Sequence, residues 1–585
     1  MYSSKVLTAR PARNGTIEIV QWRKNAGRDG DQIWTLKKDR QGNKLYSRKR
    51  GKYLAAAGSQ DERAPLVLRQ ANTGVEQTWR FEPHGNAYKL VAQHSGMNMA
   101  IDDYGMSDGA PIVQMPADSR EAEQWLLYRT DQVTPNPVAR RPNNAIASTY
   151  DNESKTYRIA PLPSASAEAE RTNRRKLADY QPSGLFVEQG EIVSIEARGG
   201  PNDTDGLVVA IGPMMPFYGA EASGKPFLLP VRDGQNRFTA PYSGMMYFRY
   251  VDSGLLEVPR PAIDVRVTRG GTVVPLYVQG VTTPDQWKSM LTRHPRAPWV
   301  EMVGGRAMIS VRRLAYERAA RADPAAIFPI LDAVVSHEDS ISGLDGATEA
   351  DRPSPLRLHY VQDDVTPEQE IANVYMYAGD YFIGMPGESA FDLLDPRALK
   401  QAWSIWHETG HLYQQTDWTW NGIVETTVNI YSLYTQERLG QPSRLTEKGE
   451  STGRSPYDDA RRYLASAGRD FTSDATFPTN SDPVWVRLVM YEQLRRGLGN
   501  AFYQKLHQYY RSHPLTYEQQ IGDHEKLQAF IYRSCLVANL DLTDFFSKWG
   551  LRADAATLHA VGSLKYPRAS GDLTTIGLEH AENEI

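Results

Sequence analysis

AWSIWHETGHLYQQ, residues 402–415, sets two histidines four positions apart around a glutamate and a glycine. On an α-helix, residues i and i+4 lie one above the other, so His407 and His411 share a face from which both imidazoles reach a single ion. Glu408, the next position round, is placed to hold a water at that ion. Asp395 followed by Pro396 predicts the helix start, a capping carboxylate and a proline at the first helical position, with the apolar pattern continuing through Leu412. Zinc takes nitrogen and carboxylate ligands, and a catalytic site uses three from protein and leaves the fourth position to water. A chance H-E-x-x-H is expected in roughly one or two chains of this size in a hundred, so the motif needs support from its surroundings.

The third ligand must come from another segment. NGIVETTVNIYSLYTQERL predicts a second helix with Asn421 as its cap and Glu425 in its first turn. Asn429, one turn on, shares that face and is placed to orient a ligand from behind. The rival is Asp417, six residues after His411, as in compact zinc-protease patterns where a glycine turns the chain back. Gln414 occupies that glycine's slot, so the helix has less reason to break there and Glu425 is preferred. Gly410 reads both as tight helix packing and as room beside the metal. Such a site lowers the pKa of its water, with Glu408 as general base and the ion polarising a carbonyl. His359, Tyr503 and His507 are candidates for a further donor that the sequence does not rank.

The rest of the chain sets the frame. At 585 residues it is long enough for three or four domains, and a net charge of -4 gives no electrostatic reason to expect a nucleic-acid partner. The single cysteine, Cys535 in IYRSCLVANL, excludes an intrachain disulfide framework and reads as a buried apolar residue. No apolar run is long enough for a transmembrane segment, and the first residues carry no secretory signal, so a leader was either removed or not used.

The first 130 residues repeat one pattern three times. SSKVL, RGKYL and SGMNM open units about 46 residues apart, each followed by an apolar strand-length run and then by Trp34, Trp79 or Trp125. Short strands broken by Gly and Asn, with one large aromatic per unit, predict a closed β structure of threefold pseudosymmetry. The block resembles the ricin-type β-trefoil lectins, whose repeats carry Q-x-W. That resemblance implies a sugar-binding aspartate just after each opener. Thr8, Ala55 and Ala100 stand there instead, with Asp102 and Asp103 close to the third slot, so a working lectin and a spacer or docking module both remain open.

TPNPVARRPNN and APLPSASAEAE make residues 131–172 read as a linker, and residues 173–270, with Ile263, Val265 and Val267 alternating, as an antiparallel β-sandwich. A catalytic α+β region over 271–480 and a helical part over 481–585 follow, the latter containing VWVRLVMYEQLRRGLGNAFYQKL with a buried stripe of Val484, Leu488, Tyr491 and Leu498.

QPSGLFVEQGEIVSI, NRFTAPYSGMMYF, WHETGHLYQ, ETTVNIYSLY and DLTDFFSKWGL together resemble the M60-like, or enhancin-like, zinc metallopeptidases over residues 170–560. The resemblance implies a gluzincin-like zincin fold, with zinc on His407, His411 and Glu425 and with Glu408 as base. It further implies a secreted or cell-surface endopeptidase acting on mucin-type, O-glycosylated glycoproteins. Trp418 and Trp420, on the connection between the ligand helices, are the expected glycan-reading residues, and the stretch LHYVQDD to YFIGMPGES the expected source of an edge strand for substrate. The alternatives are a glycan-independent metalloprotease and a carbohydrate-binding or adhesion protein with an inactive peptidase fold.

Overall fold

A computed structural model describes residues 5–578 apart from 13–14, 25–29, 39–41, 57–59, 85–86, 103–104, 106, 118–120, 128–147, 200–205, 213–226, 253–259, 320 and 364–374. The N-terminal unit is built of antiparallel hairpins, Val6–Pro11 with Ile17–Trp22, Trp34–Lys38 with Asn43–Ser47, and onward to Asn98–Ile101 with Ile112–Met115. Its threefold character is visible in three equivalent hydrogen bonds. Each tryptophan indole donates to the carbonyl that ends the opener of its own repeat: Trp34 to Leu7 at 3.0 Å, Trp79 to Leu54 at 3.3 Å and Trp125 to Met99 at 2.8 Å. A tryptophan can fill a core only if its N–H finds an acceptor, and the repeat supplies one each time. Thr8, Ala55 and Ala100 are all buried, and Asp102 is held by Arg63 at 2.8 Å; Asp103 lies outside the described residues.

The linker expected over residues 131–172 is corrected for its described part. Strands Thr149–Asp151 and Thr156–Ile159 and helix Ala165–Thr172 form there, the helix capped by the Ser164 side chain on Ala167 N. These strands are short and carry no periodic signal of their own. They form because Thr156–Ile159 pairs with Ile263–Arg269, whose buried Ile263, Val265 and Val267 alternate with exposed residues. The sandwich therefore begins near residue 149. It stacks two five-stranded sheets, with Leu185, Val193, Ile195, Val209, Met246 and Phe248 between them.

The catalytic region holds a six-stranded mixed sheet. Its strands are β1 (Leu276–Val278), β2 (Trp299–Val303), β3 (Ala307–Arg312), β4 (Leu358–Asp363), β5 (Tyr377–Ala378) and β6 (Ile383–Pro386). They lie in the order β1-β2-β3-β4-β6-β5, so the edge is the two-residue β5, and LHYVQD forms an interior strand. Helix α1 (Pro324–Ile341) packs on the sheet and on the later helices, sharing one core with them. The helix predicted from VWVRLVMYEQLRRGL runs Pro483–Leu498 and is buried on every side from Val486 to Arg495. The expected single stripe is thus replaced by a central helix of the C-terminal bundle. Cys535 is buried in that bundle, and burial pushes its thiol up to about 12, which leaves it unreactive. Among the described residues no helix is long and apolar enough to cross a membrane.

Candidate metal centre

The metal motif lies on helix α2, Trp403–His411, which does not start at Asp395 as expected. Asp395 caps only the single turn Pro396–Leu399, accepting from Arg397 N at 2.8 Å. Ala402 then leaves the helical region at φ -78, ψ 83, and the chain restarts at Trp403. The restart turns Ile405 and Trp406 fully into the core, while His407 stays partly exposed and His411 is buried. Thr409 fixes the helix to the sheet, its hydroxyl 2.7 Å from that of Tyr360 on β4.

Glu425 lies in the first turn of helix α3 (Val424–Thr427), which continues into helix α4 (Asn429–Arg438). Asn421 is not the cap: its backbone N–H donates to Asp523, and Ile423 is the residue that precedes the helix without a side-chain bond. Gly410 is where α2 and α4 meet. A Cβ there would sit 3.1 Å from both Cγ2 and O of Val428 and 3.2 Å from Cβ of Tyr431, so only glycine lets the ligand helices approach this closely.

The approach brings three ligand atoms together. His407 Nε2 is 3.0 Å from Glu425 Oε2, His411 Nε2 is 3.1 Å from His407 Nε2, and His411 Nε2 is 3.5 Å from Glu425 Oε2. Donors placed tetrahedrally round a zinc ion lie about 3.3 Å apart, so this triangle is the right size for one ion. The other ring nitrogens are already used. His407 Nδ1 is 2.8 Å from Asn429 Oδ1, and His411 Nδ1 is 2.6 Å from Gln414 Oε1. Both acceptors require a protonated Nδ1, which leaves Nε2 as the lone-pair face on each ring. Asn429 also donates to Glu425 O at 2.7 Å, and Gln414 donates to Val424 O and Thr427 Oγ1, so each orienting amide is anchored to the helix that carries the third ligand. In the sequence Gln414 reads only as the residue that displaces a glycine; its bond to His411 forms just past the end of α2, three residues on.

The electrostatics fit a cation. Hydrogen bonds from His407 and then His411 hold the Glu425 carboxyl far below the usual carboxylate range. Burial alone would lower His407, but the Glu425 bond and the Glu408 charge raise it overall. Glu408 itself is raised, by burial above all, against the opposing charges of His411, His407 and, more weakly, Arg175. Arg175, which the sequence did not single out, donates to Ala378 O on the edge strand β5 at 2.8 Å.

Other expectations are corrected. Asp417 is fully buried, accepting from Leu515 N at 2.7 Å and from Gln520, and belongs to the scaffold. Trp418 and Trp420 are buried too: Trp418 stacks between Tyr503 and Phe530, and Trp420 packs on Phe530, so neither faces a glycan. His359 is buried between Tyr180 and Ser310, His507 is bonded to Tyr431 and Tyr503 O, and Tyr503 donates to Tyr491 O. Burial pushes both histidines down to about 3, so none of these three serves as a donor in the cleft.

Two histidines and a glutamate on neighbouring helices, with a glutamate between the histidines and a mixed sheet behind, define a metallopeptidase fold. Residues 270–550 match Peptidase M60, enhancin and enhancin-like, and residues 30–115 match the ricin-type beta-trefoil lectin domain-like family. The M60 match covers the peptidase unit, close to half of the chain. A conserved protein of unknown function from Bacillus anthracis superposes with a TM-score of 0.61 at 29% identity, covering 72% of this chain and 80% of that one. The M60 catalytic domain of Clostridium perfringens ZmpC, solved in complex with the sialyl T antigen, superposes with a TM-score of 0.56 at 17% identity, covering 72% and 81%. Rat TRPM8 channel-associated factor 3 is 23% identical over 327 residues, 55% of this chain and 32% of the relative. The chain thus spans about a third of the length of that curated relative.

Proposed function

We propose that this protein is a zinc-dependent endopeptidase that hydrolyses peptide bonds in glycoproteins, with O-glycosylated, mucin-type chains as its substrates and the outside of the cell as its place of action. The observation that carries the reading is the triangle of His407 Nε2, His411 Nε2 and Glu425 Oε2, 3.0 to 3.5 Å on a side, with Glu408 beside it. Zinc held by these three atoms supplies Lewis acidity at a scissile carbonyl and lowers the pKa of water towards neutrality. Glu408 takes the proton from the attacking water on its carboxylate and returns it to the nitrogen of the departing amine. Burial raises its proton affinity and so suits it to both halves of that transfer. Asn429 and Gln414 hold the imidazoles in the tautomer that presents Nε2.

The glycan part of the proposal draws on the ZmpC catalytic domain, which was solved with a sialylated glycan. With Trp418 and Trp420 buried, Trp403, one turn before His407, is a partly exposed tryptophan of the motif helix, packed against Trp406 and Trp485 with Arg444 over its ring. A binding protein with a silent peptidase fold is disfavoured, because a purely structural ion has no use for Glu408. The test is digestion of an O-glycosylated protein before and after enzymatic removal of its glycans, with the products sequenced. Cleavage confined to the glycosylated form supports the full proposal. Equal cleavage of both forms leaves a metalloprotease indifferent to glycans, and no cleavage of either overturns the enzyme reading.

A further inference from the structure

Segment 515–526 touches two parts of the molecule that are far apart in sequence. On one side it holds the connection between the two ligand helices. Leu515 N donates to Asp417 Oδ2 at 2.7 Å, Gln520 Nε2 donates to Asp417 Oδ1, Asp523 accepts from Asn421 N at 3.0 Å, and Lys526 Nζ donates to Thr419 O at 3.0 Å. Asp417, Thr419 and Asn421, between His411 and Glu425, are thus each bonded to this segment.

On its other side the same segment grips the third repeat of the trefoil. Tyr517 N donates to Asp108 O at 3.0 Å, and the Tyr517 ring packs on the trefoil core. It lies so close to Gly105 that a Cβ there would stand 2.8 Å from the ring. Ser107 Oγ donates to Gln520 Oε1. The trefoil has a separate tie to helix Ala165–Thr172: Lys5 Nζ lies 2.6 Å from Glu170 on that helix and 3.2 Å from Asp108, with 4% of the lysine side chain exposed.

We propose that the trefoil is a fixed brace of the metal centre and that Gln520 is the positioning residue joining them. The reason is the chemistry of the primary amide, which accepts at one end and donates at the other. Its oxygen takes the Ser107 hydroxyl of the trefoil, and its nitrogen reaches the Asp417 carboxylate six residues past His411. Reversing the amide would turn its oxygen onto the Asp417 carboxylate, acceptor against acceptor, so the Asp417 bond fixes the amide and leaves its oxygen to the Ser107 hydroxyl. Asp417 is fully buried, and losing a partner there leaves a desolvated carboxylate to be accommodated by movement of the connection that carries Glu425. The third repeat, the one with acids near its sugar slot, is thereby committed to an internal contact.

This inference rests on the proposed zinc site for its functional consequence, but not for its physical test. In the full chain, Ser107→Ala removes the trefoil end of the link and Gln520→Ala removes both ends, while Ser107→Thr keeps the hydroxyl. Hydrogen exchange of peptides covering 416–421 is read on metal-free protein, and zinc affinity is read by chelator competition. Both alanine variants are expected to exchange faster at 416–421 and to bind zinc roughly three- to tenfold more weakly, and Ser107→Thr to restore both. The brace is overturned if exchange at 416–421 is unchanged in both alanine variants. It is equally overturned as a brace of the metal centre if exchange rises but zinc affinity stays as in the unaltered chain. Failure of the unaltered chain to bind zinc would instead strike the functional reading, and the exchange result would still decide whether trefoil and connection are linked.

Discussion

His407 Nδ1 lies 2.8 Å from Asn429 Oδ1, and the amide nitrogen of the same asparagine donates to the backbone of Glu425. One side chain thus sets the orientation of one ligand while tied to the residue that supplies another. Residues that orient ligands in this way commonly contribute 10- to 100-fold in metal affinity, so Asn429→Ala is expected to weaken zinc binding by roughly that factor. Gln414→Ala, which frees His411, is expected to do the same. Chelator competition on both variants checks this; an unchanged affinity in either would mean that the imidazoles are held by packing alone.

Gly410→Ala tests the approach of the ligand helices. The added methyl meets Val428 O, a backbone atom with little freedom to yield, at 3.1 Å. Overpacking of this kind costs about 1–3 kcal/mol, against a gain of up to about 1 kcal/mol from replacing glycine inside a helix. A net fall in thermal midpoint is expected, together with weaker zinc binding as α2 and α4 separate. A rise in both would show that the contact is not tight.

The pH dependence of metal binding follows from His407. In the metal-free protein its pKa is raised above 6.5, burial being outweighed by the Glu425 bond and the Glu408 charge. A proton on Nε2 competes directly with the ion, so zinc affinity should fall as pH drops through and below that raised value. The linked stability has the opposite sense. The raised pKa stabilises the metal-free fold fully below 6.5, and this contribution is lost as pH rises through the folded value. Titration of zinc affinity and of metal-free unfolding against pH checks both signs together. In a Glu425→Gln variant the main raising interaction is gone, and both dependences should weaken.

Trp418→Ala is expected to act on stability and not on substrate choice. Removing a fully buried tryptophan from between Tyr503 and Phe530 costs about 3–5 kcal/mol. The thermal midpoint should drop sharply, while the ratio of rates on glycosylated and deglycosylated substrate stays as in the unaltered protein. A changed ratio with little loss of stability would return Trp418 to the binding surface.

What the sequence made legible was periodic or local. The i, i+4 spacing of His407 and His411 is enough to put both on one helical face, and three tryptophans in register are enough to predict the trefoil. What it hid depends on partners distant in the chain. Trp418 and Trp420 sit on a connecting loop, where an aromatic side chain reads as exposed, yet Phe530 covers both from more than a hundred residues away. Strand Thr156–Ile159 has no alternation long enough to recognise and exists because Ile263–Arg269 offers it an edge. Asp395 carries a proper capping signal, but it caps one turn, because burying Ile405 and Trp406 needs a different helix axis from that turn. Arg175 stands outside every motif, yet it donates to the carbonyl of Ala378 on β5 and its charge acts on Glu408.

The account is tested most directly by Glu408→Gln, an isosteric change that keeps the triangle of ligand atoms and removes the base. Both forms are loaded with zinc, their metal content is measured, and cleavage of an O-glycosylated protein is followed. The account predicts one zinc ion in each and a loss of roughly 10²- to 10⁴-fold in rate for the variant. A variant that holds its zinc and cleaves at the rate of the unaltered protein would contradict it.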